Sequence, residues 1–194
     1  MSTEQSPKEL VTKEYPTLQT ARLFLRPFLI SDAKDAQRLG GDAAVVDTLF
    51  RLNLCTPGVA QEWIRHQHEH FEKGEWVNFA ITDLERGLLM GSVGLDIDID
   101  VQDHAAEIMY WIGKEYWSRG YATEAAHAVL NYGFKKLHLL RIYAHYLARN
   151  RASGRVLEKL GMKYKGCMPK SLRKGNMMED LNLMGITKDE FKEG

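Results

Sequence analysis

The sequence is poor in cysteine, has no long apolar run and carries no excess of either charge. Each absence removes a class of protein. The two cysteines, Cys55 and Cys167, make neither a disulfide framework nor a metal-ligand spacing. No stretch of about 18 consecutive apolar residues exists, so no transmembrane helix is expected. Met1 to Thr17 is polar and mixed in charge, without the apolar centre of a signal peptide. Acids and bases balance at 26 each, which argues against a nucleic-acid partner, since such proteins usually carry a basic excess. No internal repeat or low-complexity segment is present. The expectation is a cytoplasmic, reduced protein that neither crosses a membrane nor binds nucleic acid. What remains is 194 residues, 44% apolar and 27% charged, enough for one domain with a full core.

The stretch around which the chain is organised is Trp117-Ser118-Arg119-Gly120-Tyr121-Ala122-Thr123-Glu124-Ala125. It lies between an alternating apolar run, Ala105 to Gly113, and a helical stripe made by Ala122, Ala125, Ala126, Val129, Leu130, Gly133 and Leu137. Strand, glycine-bearing turn and helix start follow in that order. A helix N-terminus carries four N–H groups without intrahelical partners and about half a positive charge. Gly120 and Ala122 put little side chain in the way, so the turn is expected to cradle an anion such as phosphate.

Elsewhere, a polar arm covers 1–17 and a first strand runs from Leu18 to Phe28. Short helices are expected from Ser31-Asp32 to Leu39 and from Ala43 to Leu52, and a longer one from Thr56-Pro57 to Gly74. Strands follow at Trp76 to Thr82 and Leu88 to Asp100, the second reaching Ala105 to Gly113 through a polar link at 101–104. Beyond the central helix come a strand at Leu139 to Leu147 and a helix capped by Asn150 and stopped by Gly161. Two closing strands, Met162 to Pro169 and Asn182 to Ile186, flank a loop from Ser171 to Met178. This order predicts one α/β (α+β) domain over 18–190, with a mixed, mostly antiparallel sheet of about seven strands and helices on both faces.

Three segments in this order resemble the GNAT superfamily of N-acetyltransferases: Glu107-Ile-Met-Tyr-Trp-Ile-Gly113, Trp117 to Ala125, and Asn150-Arg-Ala-Ser153 with Glu158-Lys-Leu-Gly161. The similarity runs from about Leu18 to Ile186. It is strongest toward the branch of ribosomal-protein alanine and serine N-terminal acetyltransferases, which Gly166-Cys167-Met168, the basic loop after it and Glu179-Asp180 also resemble. The family turn begins with Gln or Arg, where this chain has Trp117. The resemblance implies that the anion is the pyrophosphate of acetyl-coenzyme A, held by backbone N–H groups of Arg119, Gly120, Tyr121, Ala122 and Thr123. The Arg119 guanidinium and the Thr123 hydroxyl are possible additions.

The resemblance also implies direct transfer to an amine in a ternary complex, without metal or acyl-enzyme. Backbone around Trp111 and Ile112 would stabilise the oxyanion and pair with pantetheine. Glu107, a carboxylate in an apolar strand, is the candidate general base; its alternative role is an outward strand residue or a buried salt-bridge partner. Many family members place a tyrosine acid where this chain has Leu157. In the ribosomal-protein branch a helix serine takes that role, and Ser153 matches it, while Asn150 would bind the cofactor or brace the strands. The implied acceptor is a protein N-terminus, the enzyme a monomer or homodimer. The rivals are a small-molecule amine and a non-catalytic acyl-CoA-binding module.

Other patterns are explained without metal. Asp96, Asp98 and Asp100 with Glu107 have the length of a calcium loop but lack its glycine, and alternation with Leu95 and Ile97 predicts a solvated strand face. His66 and His70 lie one helical turn apart without a third ligand nearby, and Cys167 is expected to be buried in a strand.

Overall fold

The computed structural model describes residues 14–49, 58–97 and 104–192. The first strand is broken by a turn at Thr20, whose hydroxyl accepts the Leu23 N–H at 3.0 Å. It becomes β1 (Leu18–Gln19) and β2 (Leu23–Arg26), paired antiparallel. This splitting gives the sheet eight strands where about seven were expected. Next come α1 (Ala33–Gly40), α2 (Ala43–Thr48) and α3 (Val59–Glu72). The meander β3 (Trp76–Asp83), β4 (Leu89–Asp96) and β5 (Ala105–Ile112) follows. The remainder is α4 (Tyr121–Lys135), β6 (Arg141–Leu147), α5 (Arg151–Lys159), β7 (Lys163–Lys174) and β8 (Met177–Thr187). The strand order is β1-β2-β3-β4-β5-β6-β8-β7, antiparallel except for the β5–β6 pair, which α4 connects.

Alternation along the strands sorts the core onto two faces. Val77, Phe79 and Ile81 of β3, Val93 and Leu95 of β4 and Ile108 of β5 join the buried α4 residues Ala125, Ala126, Val129 and Leu130. Small residues let α4 sit close to the sheet. A Cβ added at Gly133 would lie 2.9 Å from Ile142 Cδ1 and 3.0 Å from Leu95 Cδ1. On the opposite face Phe28, Ala80, Leu89 and Trp111 cluster with Ala36, Leu39 and Ile64 from α1 and α3.

Two expectations need correction. The loop placed at Ser171 to Met178 is mostly strand: β7 and β8 form one long hairpin that turns at Gly175 and Asn176. Both of its faces are largely exposed there, so no apolar alternation marked it. Cys167 is exposed on that hairpin rather than buried. The arm also has an anchor: Tyr15 stacks on Phe71 at 3.9 Å between ring centroids, and its hydroxyl donates to Asn78 O at 2.6 Å. Residues 1–13, Cys55, the Thr56-Pro57 helix start, Asp98, Asp100 and the 101–103 link lie outside the described residues.

Candidate active site

Strand β5 stays paired with β4 as far as Ile112, and β6 with β8 as far as Leu147. Between themselves, β5 and β6 pair only from Ala105 opposite Arg141 to Glu107 opposite Tyr143. Past Glu107 the two strands part, and the fork opens into a cavity of about 590 Å³. The Gly113 N–H donates to Met90 O at 2.9 Å. Antiparallel alternation then turns the amide of Trp111 toward β4 and those of Tyr110 and Ile112 into the fork. Of the two expected backbone positions, Ile112 faces the opening by its amide, and Tyr110 replaces Trp111. The Ile112 carbonyl is already taken by the Trp117 indole N–H at 2.7 Å. This is what Trp117 does at the position where the family pattern has Gln or Arg: it ties the turn to the end of β5.

One end of the cavity is the start of α4, with Ser118, Gly120, Tyr121, Ala122 and Thr123 in its wall. Gly120 holds φ +81 at the N-cap, a conformation glycine adopts without the cost a side chain would bring. The Glu124 N–H bonds Gly120 O at 3.0 Å, so the amides of Tyr121, Ala122 and Thr123 have no acceptor within the helix. These donors and the helix dipole suit a phosphate, and Arg155 and Lys159 of α5 add positive charge to the same wall. Arg119 contributes differently from expectation. It is exposed and not part of the wall, and its carbonyl accepts from Arg22 Nη1 at 3.1 Å. Arg22 also lies over the Tyr121 ring at 4.6 Å and pairs with Glu124 at 2.6 Å. Burial raises the Glu124 carboxyl, but hydrogen bonds from Thr20 and Arg22 outweigh it and hold the pKa below its ordinary value.

Asn150 caps α5 by accepting the Ser153 N–H at 3.2 Å, and both residues line the cavity. Ser153 Oγ is 2.9 Å from the Tyr110 hydroxyl. Burial pushes the Tyr110 phenol well up, despite the opposing Ser153 bond, so it stays protonated. The hydroxyl pair Tyr110–Ser153 therefore stands where β5 faces α5.

At the crotch of the fork, Glu107 is 1% exposed, and its Oε1 accepts from His145 Nδ1 at 2.8 Å and from the His145 amide at 3.3 Å. With Nδ1 used this way, Nε2 is the ring nitrogen left to exchange a proton. Asp96 is paired directly opposite Glu107 across β4 and β5 and is also buried, at 5% exposure. The solvated face expected for Asp96 is corrected: it lines the cavity. His70 Nδ1 contacts Glu75 at 2.6 Å and its ring stacks on Trp76. Among the described residues no three His, Cys, Asp or Glu side chains are grouped to hold a metal.

His145, Tyr110, Arg155 and Lys159 were missed from sequence. His145 left one trace, since it alternates with Ile142 and Ala144 as a polar residue on an otherwise apolar strand. The others needed the fold.

At the end of the cavity lined by Thr48 and Leu49, long-range polar contacts hold α2 in place. Lys174 Nζ donates to the carbonyls of Val46, Asp47 and Leu49 at 2.7, 2.7 and 2.6 Å. Arg149 grips Asp47 through Nη1 and Nη2 at 2.7 and 2.9 Å and Glu179 through Nε at 2.9 Å. These bonds fasten α2 to the β7–β8 hairpin.

Comparison with known proteins places this geometry. The model of an acetyltransferase (GNAT) domain matches residues 22–163. An uncharacterized N-acetyltransferase p20 of Bacillus licheniformis is 27% identical over 175 residues, 90% of this chain and 98% of that protein. A [ribosomal protein uS5]-alanine N-acetyltransferase of Escherichia coli is 25% identical over 140 residues, 72% of each chain. Among solved structures, a GNAT-family acetyltransferase from Bacillus anthracis superposes with a TM-score of 0.79 at 27% identity, over 90% of this chain and all of that one. The spermidine N-acetyltransferase of Vibrio cholerae, solved with CoA and spermine, gives 0.77 at 21% identity over 88% of this chain and 98% of its own, which speaks to the fold. With the forked sheet and the glycine-capped helix start already in hand, the family match is decisive: the chain belongs to the GNAT family and is an N-acetyltransferase that uses acetyl-CoA.

Proposed function

We propose that the protein acetylates the α-amine of a protein N-terminus, of the kind ribosomal proteins present, by direct transfer in a ternary complex. The observation that carries this reading is the Glu107–His145 pair at the crotch of the fork, with Asp96 beside it. An α-amine with a pKa of about 8 is roughly a tenth neutral at pH 7, whereas a lysine-type amine is neutral in under a thousandth. One imidazole backed by one carboxylate is base enough for the first. The activity for which the Escherichia coli relative is named agrees with it.

Acetyl-CoA, when bound, supplies an activated thioester carbonyl. The amides of Tyr121, Ala122 and Thr123 would hold its pyrophosphate, with Arg155 and Lys159 nearby and Asn150 holding the start of α5. His145 Nε2 takes the proton that the amine must shed, and Glu107 fixes the ring and balances the charge that forms. The fork-facing amides of Tyr110 and Ile112 are positioned for the oxyanion. The Tyr110–Ser153 hydroxyl pair would donate a hydrogen bond to the departing sulfur, and the proton that His145 takes from the amine returns to that sulfur through solvent. Glu107 is thereby sharpened from lone base to a residue that acts through His145.

A second reading has one observation in its favour. Asp96, a buried carboxylate in the cavity wall, would also attract a polyamine, the class that the Vibrio cholerae neighbour acts on. Thiol release from acetyl-CoA, measured side by side with ribosomal-protein N-terminal peptides and with spermidine, separates the two. Turnover with peptides is expected, and turnover with spermidine alone would refute the protein-substrate function.

A further inference from the structure

The turn before α4 is fixed from outside by a residue that does not line the cavity. Ser118 holds φ +61 and Gly120 φ +81, so two left-handed residues flank Arg119. A serine keeps that conformation only where its surroundings hold it. On one side the Trp117 indole ties the turn to β5. On the other, Arg22 Nη1 donates to Arg119 O at 3.1 Å, between the two left-handed residues. Arg22 is itself firmly seated. Its main-chain N–H donates to Glu124 Oε1 at 3.0 Å, its Nε donates to Glu124 Oε2 at 2.7 Å, and its carbonyl accepts the Leu84 N–H at 3.0 Å. Nη2 is 2.6 Å from the same carboxylate, and the guanidinium lies over the Tyr121 ring at 4.6 Å. Each guanidinium nitrogen thus has a partner in the protein. Arg22 is also absent from the cavity wall to which Ser118, Gly120 and Tyr121 belong. An arginine placed in this way acts on an anion through the backbone that it holds.

We infer that Arg22 is a positioning residue for acetyl-CoA: by holding the Arg119 carbonyl outward, it aims the Gly120 N–H at the pyrophosphate. This rests on the pyrophosphate cradle proposed above and names what sets its geometry. A trans peptide is planar, so the Gly120 N–H points opposite to the Arg119 carbonyl. With Arg22 on the oxygen side, that N–H is turned away from Arg22, and it has no acceptor among the described residues. It joins the amides of Tyr121, Ala122 and Thr123 as a further donor. A cation on the oxygen of a peptide also polarises its N–H and strengthens the bond that the N–H makes. The ion pair serves the site a second time. Glu124 is in the first turn of α4, and Arg22 offsets a negative charge that would oppose a phosphate there.

The test uses the full-length enzyme and two acetyl donors, acetyl-CoA and acetylpantetheine, the second carrying the thioester without any phosphate. Rates are measured with whichever acceptor, peptide or spermidine, the enzyme turns over. In Arg22→Met the Kd of CoA by calorimetry and the KM of acetyl-CoA should rise about tenfold, with kcat at saturation unchanged. Turnover of acetylpantetheine should not change, because it offers the turn no phosphate to hold. Arg22→Lys keeps the charge, but one ammonium cannot span Glu124 and the Arg119 carbonyl as the guanidinium fork does. Its CoA affinity should therefore stay about threefold or more below the native value. Unchanged CoA affinity in Arg22→Met, an equal loss on both donors, or full recovery in Arg22→Lys overturns the inference. An equal loss would mean that Arg22 supports the fold, and full recovery that only its charge counts. The cradle and the role of Arg22 fail differently. If the native enzyme turns over both donors with the same kcat/KM, the turn holds no phosphate and both proposals fall. A native preference for acetyl-CoA, with CoA affinity unmoved by Arg22→Met, removes the role of Arg22 alone.

Discussion

The two ends of the cavity are made in different ways. The end proposed for the cofactor is local and mostly backbone: Trp117 to Ala125 supply the turn, the glycine cap and the amides without acceptors in the helix. The end proposed for the acceptor is lined by side chains on α2, α3, β3, β4, β5 and β6, and α2 is fastened by Lys174 and Arg149 reaching across more than a hundred residues of sequence. A backbone site recognises what a whole family shares, because any sequence that folds the turn presents the same N–H groups. A side-chain site can be rebuilt residue by residue, and specificity is expected there.

The largest expected effect breaks the cofactor end alone. Gly120→Asp places a side chain at φ +81 and a negative charge against the phosphate donors. Acetyl-CoA affinity should fall by about a hundredfold or more by calorimetry, with the fold retained. Unchanged affinity would show that the pyrophosphate lies elsewhere.

Next is the crotch where the two ends meet. Glu107→Gln should lower kcat by about a hundredfold, the usual scale for general base assistance, without changing acetyl-CoA affinity. The loss should deepen toward low pH, where more of the amine is protonated. A loss of equal size at every pH would mean that Glu107 supports the fold of the fork and not the proton transfer at His145.

A smaller effect should separate the acceptor end. Lys174→Met removes three donor contacts to the end of α2 and should raise the acceptor KM by about five- to tenfold, leaving acetyl-CoA affinity intact. Equal changes in both constants would mean that the two ends are coupled.

The smallest effect concerns pH and the tie behind the turn. The Glu124 carboxyl is held below its ordinary value of 4.5, so its bonds to Thr20 and Arg22 stabilise the fold fully above that pH and are lost as the pH falls through the folded value. The Tm gap between the native protein and Glu124→Gln should be constant from neutral pH to about 5 and close below about 4.5. A gap that persists in acid would mean that the charge is not what matters.

The same contrast explains what could be read before the fold was known. Gly120, Asn150 and the α4 stripe were legible because turn, cap and periodicity are properties of neighbouring residues. The order of strands followed from alternation, although the turn at Thr20 split the first strand and the exposed hairpin past Ser171 hid its own. Glu107 stood out as a charge in an apolar run, but its partner His145 is 38 positions away and becomes a neighbour only through the parallel register. Asp96 was misjudged for the same reason. Its alternation looked like that of a surface strand, and only the position of α3 and the fork makes that face an interior.

The fastening of α2 has a consequence for how such enzymes diversify. Lys174 binds carbonyl oxygens, which every amino acid supplies, so the side chains at 46 to 49 are not needed for closure through Lys174. Thr48 and Leu49, which face the cavity, can therefore be exchanged without unfastening the rim. Replacements there can reshape the cavity wall while the fastening of α2 stands and the glycine-capped turn is left alone.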